Sequence, residues 1–155
     1  MFVRNAMAFL AAVLLTYTLA SVSVTQAALA QLQALGIFIS MPVRLRTSGL
    51  DLMGMSTSLL PLIALALGVG FVIASGVARL LPRLRLPLLL AAGGIAMMTL
   101  HAALLAVLGV TPFPAVRTYT GLGLQIASGI AGGYLYWRLS RVRPDDAPTP
   151  SPADL

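Results

Sequence analysis

"LLPLIALALGVGFVIASGVARLLPRLRLPLLL" (Leu59–Leu90) is two apolar runs joined by a short stretch that holds all of its charge, Arg79, Arg83 and Arg85. The uncharged run before these arginines covers residues 52–78, and the one after them covers 86–116. A helix this long without a charged face has no surface to offer water. Each run meets the roughly 20 apolar residues needed to cross a hydrocarbon core about 30 Å thick. In that core only a helix or a closed barrel satisfies its own backbone hydrogen bonds. The alternation of barrel strands about 10 residues long is absent. The quoted string therefore reads as span, tight basic turn ("RLLPRLRLP", Arg79–Pro87) and span, at about 59–81 and 88–108. Pro61 falls in the first turn of its helix, where a missing N–H costs little.

The same reasoning extends in both directions. Residues 5–43 and 118–137 are also free of charge, and predict spans at about 6–27 and 119–139. The whole chain is 59% hydrophobic and 9% charged, with a mean hydropathy of +0.95. Soluble domains carry roughly 25% charged residues, and this chain could not cover a soluble surface. The predicted fold is an all-α integral membrane four-helix bundle of two hairpins, residues 1–143. A proline-rich tail, 144–155, is expected to be disordered and cytoplasmic. The N-terminal stretch has the basic start and apolar run of a signal peptide, but the run continues well past a typical one. It is read as an uncleaved first span.

That first uncharged run, helical throughout, would reach about 60 Å at 1.5 Å per residue, twice the core. Gln26, Gln31 and Gln33 mark its exit, and the part from Leu29 to about Phe38 is expected to project from the membrane or lie along it. Residues 41–58 follow as an amphipathic extracytoplasmic segment, with Arg44 and Arg46 close to Asp51 and with Met41, Met53 and Met55 as apolar anchors. Thioethers are soft ligands, but no Cys or His stands beside these methionines, and no metal is predicted. Arg4, Arg79, Arg83, Arg85, Arg138, Arg141 and Arg143 fall on one side; Arg44, Arg46 and Arg117 fall on the other. Short loops rich in arginine stay inside, so both termini are predicted cytoplasmic. Tyr134, Tyr136 and Trp137 form the aromatic belt at that side.

The net charge of +6 resides in the turns, where topology requires it, and no nucleic-acid motif accompanies it. Nucleic acid is excluded as a partner. The absence of cysteine removes disulfides and thiolate metal sites. Lysine and glutamate are missing as well. An arginine-only, Ala/Leu/Gly-heavy chain points to a GC-rich bacterial genome and so to the inner membrane.

In lipid no hydrophobic drive brings helices together, and small residues permit close backbone approach instead. In the last span Gly121, Gln125, Gly129 and Gly133 share one face at intervals of four. Gly123, Ala127 and Ala131 form the adjoining ridge. "GFVIASGVA" (Gly70–Ala78) matches "GLQIASGIA" (Gly123–Ala131) at six of nine positions, and gives span 2 the ridge Gly70, Ala74 and Ala78. Two duplicated hairpins would account for the match, but spans 1 and 3 show none. Spans 2 and 4 are predicted to be the inner, closely approached helices.

Chemistry is sparse. His101 is the ionisable residue inside the spans, and Gln125 lies at a similar depth on the neighbouring helix. They form a candidate intramembrane polar pair, read as helix glue, with a proton relay or ligand site as the functional alternative. Span 1 adds Thr16, Tyr17, Thr18, Ser21, Ser23 and Thr25, with Thr18, Ser21 and Thr25 on one face. One histidine cannot supply both axial ligands of a haem, HExxH is absent, and no serine has a His–acid partner apart from a distant Asp51. No catalysis and no cofactor are predicted. Elimination leaves an accessory or scaffold subunit that packs in membrane lipid as a homo-oligomer or within a larger complex. A small transporter or channel around His101 and Gln125 is the alternative.

Overall fold

The computed structural model describes residues 2–109 and 114–140. Among them every regular element is a helix: α1 (Phe2–Ala34), α2 (Met41–Gly54), α3 (Ser56–Leu80), α4 (Arg85–Leu108) and α5 (Tyr119–Leu139), with short 3-10 turns at Pro82–Leu84 and Pro114–Arg117. Three stretches are long and apolar enough to cross a membrane: Val3–Ala34, Ser56–Leu80 and Pro82–Leu108. The predicted fourth span, α5, is not among them. Its glycines, Gln125 and Arg138 dilute its apolar content, although its 21 residues would reach about 31 Å. Arg141, Arg143 and the tail at 144–155 lie outside the described residues.

Helix boundaries follow local chemistry. Gly109 ends α4 at φ 68°, with its N–H on the Leu105 carbonyl at 2.9 Å, a left-handed cap that glycine adopts without strain. Thr118 caps α5, its hydroxyl oxygen accepting the Gly121 N–H at 3.1 Å, as N-cap threonines do. α1 runs to Ala34, well past Gln26, so the expected projection is a continuation of the same helix. Within the amphipathic segment expected at 41–58, residues 41–54 form α2, a helix with proline in its first turn.

α5 lies between α1 and α4, α3 packs on α4 and more lightly on α1, and α2 lies against the far end of α1. α5 therefore packs on two helices, most closely on α4, and α3 does not form an inner pair with it. In its most apolar window α3 is 22% buried, against 44% for α1 and 39% for the stretch containing α4. Neighbours in the ring α1–α5–α4–α3 are antiparallel. Thr16 and Ala20 of α1 meet Ser128 and Gln125 of α5, while Leu89 and Gly93 of α4 meet Gly133 and Gly129. One end of the bundle consequently gathers Arg4, Arg79, Arg83, Arg85 and Arg138, and the other carries α2. Near the arginine end Phe71 stacks on Tyr136 at 4.7 Å and meets Phe9 edge-on at 6.4 Å, tying α3, α5 and α1 together. Tyr136, assigned to an aromatic belt, thus faces the bundle, while Tyr134 stays exposed beside Trp137.

Candidate functional site

The seam between α4 and α5 is closed by missing side chains. A methyl group on Gly129 would overlap the Gly93 carbonyl and Met97, and one on Gly93 would overlap the Gly129 carbonyl. On Gly133 it would overlap the Leu89 carbonyl, and on Gly132 the Thr16 hydroxyl of α1. The predicted ridge Gly121, Gln125, Gly129 and Gly133 is buried along its whole length. The adjoining ridge is not: Gly123 and Ala127 are exposed, Ala131 is half-buried, and nothing lies within 4 Å of a Cβ built on Gly123. On α3, Ala74 and Ala78 are buried, and Gly70 faces the Ala92 carbonyl of α4.

One helical turn or so above the glycines, the seam becomes polar. His101 Nε2–H donates to Gln125 Oε1 at 3.3 Å. The Gln125 amide nitrogen donates to the Ala20 carbonyl at 3.0 Å and the Ser23 hydroxyl at 2.8 Å. The amide thus uses both donors and its oxygen at a point where three helices meet, and its side chain is 0% exposed. Ser128 donates back to the Gln125 carbonyl at 2.6 Å, and Thr16 donates to the Ser128 carbonyl at 3.3 Å. In hydrocarbon an unpaired amide is costly, and this arrangement leaves none at Gln125.

The polar face of α1 divides in two. Thr16 and the Ala20 carbonyl face α5, whereas Ser21 faces Met55 at the junction of α2 and α3, and Thr25 faces α2. Thr18, grouped with them by spacing, is exposed and donates to its own helix at the Leu14 carbonyl, 2.8 Å away, as hydroxyls in membrane helices do. α2 is held by five hydrogen bonds. Thr25 donates to the Asp51 carboxylate at 2.8 Å, Arg44 to Gln26 at 2.9 Å and also to Gln33, Gln26 to Ser48 at 3.2 Å, and Tyr17 to the Leu52 carbonyl. Arg44 and Asp51, read as neighbours in the loop, each turn to α1, and Arg46 is exposed. Val43, Leu45, Leu50 and Met53 point away from the bundle. Apart from exposed Arg46 and from Leu52, which packs on the core, α2 is inverted relative to a soluble amphipathic helix, polar toward the protein and apolar outward.

At the arginine end Arg85 donates to the Ser140 carbonyl at 3.3 Å and hydroxyl at 2.9 Å. A cation there suits the C-terminus of α5 and clips it to the start of α4.

Sequence reasoning missed Gly93, Gly132 and the role of Ser23. A signal for Gly93 was present: Leu89, Gly93, Met97 and His101 recur every four residues and form one buried ridge of α4. Ser23 gave no such signal, because its bond to Gln125 depends on how far α1 slides along α5.

Comparison with protein-family models, with curated proteins and with solved structures finds no match to this chain.

Proposed function

We propose that the chain is an integral protein of the bacterial inner membrane. In this reading α1, α3, α4 and α5 cross the bilayer as a four-helix bundle with cytoplasmic termini, and α2 lies in the outer interface. Its work is lateral association, as an accessory or scaffold subunit, and not catalysis. Three apolar helices of spanning length support the membrane reading. So does α2, whose apolar side chains face outward. The position of α5 between two such helices supports a fourth crossing, since glycine seams and internally bonded amides suit a lipid setting. The arginine-rich end corresponds to the cytoplasm.

The observation that carries the scaffold role is the contrast within α5. Its polar groups are bonded inside the bundle, leaving Gln125 no free donor for a solute, while the small-residue ridge Gly123, Ala127 and Ala131 stays open for another helix. The test is particle mass in nanodiscs cut directly from native membranes. The wild type is expected in an assembly larger than its own 16.1 kDa, and Gly123→Leu/Ala127→Leu is expected to run as a monomer with unchanged thermal stability. A wild-type monomer contradicts the scaffold role. Solute flux in liposomes that His101→Ala abolishes would favour the transporter instead.

A further inference from the structure

Away from α5, the outer face of the α3–α4 hairpin holds a groove of about 770 Å³. Its walls are apolar, with Leu62, Val69 and Ile73 on α3 and Ile95, Leu104 and Leu108 on α4, and its floor is shallow-sided because small residues lie where the helices meet. Between Leu62 and Val77 it runs about 22 Å along the helix axis, longer than one leaflet of a core about 30 Å thick. One end opens at the level of α2. The other end lies at Val77 and Leu88, next to the turn that joins the two helices and carries Arg83.

Charge decides what fits. The arginine end carries Arg4, Arg79, Arg83, Arg85 and Arg138, and Asp51, the acid among the described residues, belongs to α2 at the opposite end. A second copy sharing this membrane orientation would set its own arginine turn against this one, and like charges repel. A phosphodiester gains what a second copy loses, because guanidinium groups bind phosphate through paired N–H donors. Basic sites between membrane helices on the cytoplasmic side suit anionic headgroups. Arg85 is turned toward the end of α5 by its bonds to Ser140, which leaves Arg83, exposed in the turn that joins the two groove helices, as the cation at this end of the groove.

We propose that the α3–α4 groove seats an anionic phospholipid of the inner leaflet, its acyl chain along the groove and its phosphate on Arg83. The proposal rests on the membrane-spanning reading above and is independent of the scaffold role. Arg79 provides an internal control, since it stands two residues past Val77, about 200° around the helix, on the side of α3 away from the groove.

Native mass spectrometry of detergent-purified protein, exposed to equal amounts of phosphatidylglycerol and phosphatidylcholine with the same acyl chains, tests this. Phosphatidylglycerol is expected to be retained about tenfold over phosphatidylcholine. Arg83→Gln is expected to bring the two within about twofold of each other, and Arg79→Gln to leave the preference intact. Equal retention of the two lipids by the wild type overturns the proposal. So does an equal loss from both variants, which would mean that the preference comes from the charge of the whole end. A chain that requires detergent for extraction yet shows no preference refutes the lipid seat and leaves the membrane reading standing. A chain that leaves washed membranes without detergent refutes both.

Discussion

Residues 70–78 and 123–131 spell nearly the same nine-residue string, and the two helices turn opposite faces to their neighbours. In α3 the ridge Gly70, Ala74 and Ala78 packs inward, while Val72 and Gly76 look out. In α5 the corresponding Gly123 and Ala127 are exposed, and the equivalents of Val72 and Gly76, Gln125 and Gly129, are buried. Small residues on both ridges allow close approach on either. The choice falls to the residue with no alternative. Valine is at ease in lipid, whereas an amide must find partners, so Gln125 turns its ridge toward His101, Ala20 and Ser23. Gly121 and Gly133 extend that same ridge in both directions. The repeat is shared chemistry without shared packing.

Paired substitutions sharpen this contrast. The largest difference is expected between Gly129→Leu and Gly76→Leu. At Gly129 the new side chain meets the Gly93 backbone, which cannot step aside, and the loss should reach about 3 kcal/mol or more. At Gly76, where nothing lies within 4 Å of a built Cβ, the change should stay within about 0.5 kcal/mol. Equilibrium unfolding in mixed micelles measures both, and equal losses would break the comparison. Next comes Gln125→Leu, which removes three hydrogen bonds averaging about 0.6 kcal/mol each in membranes, for about 2 kcal/mol in all. Val72→Leu at the matching position should be silent. A smaller effect, about 1 kcal/mol from crowding the α3–α4 contact, is expected for Ala74→Leu, while Ala127→Leu leaves the monomer's melting point unchanged. The smallest belongs to Thr25→Val, at about 0.6 kcal/mol. It should show as faster amide exchange in α2 while the rest of the bundle stays protected.

Charge spacing alone made the apolar helices legible, because a run such as 52–78 has one solvent it can tolerate. The pairing of His101 with Gln125 was also foreseeable, since a hairpin places residues equidistant from its turn side by side. The helicity of 41–54 was harder to see, because most of its apolar residues face outward and most of its bonded polar ones face α1, the reverse of the usual pattern. Which ridge of α5 is buried could not be read from small residues alone. The amide of Gln125 decides it, and Gly93, on the buried Leu89–His101 ridge of α4, lets the two backbones close. Ser23 and Thr16 depend on the axial offset of α1 and α5.

The central claim is that α5, despite its modest apolar content, threads the bilayer between α1 and α4. The chain has no cysteine, so single cysteines report without background. Tyr119→Cys and Leu139→Cys sit at opposite ends of α5 on exposed positions. With a membrane-impermeant maleimide on intact spheroplasts, Tyr119→Cys should label at once, and Leu139→Cys only after the membrane is opened. Labelling of both from the same side would contradict the account.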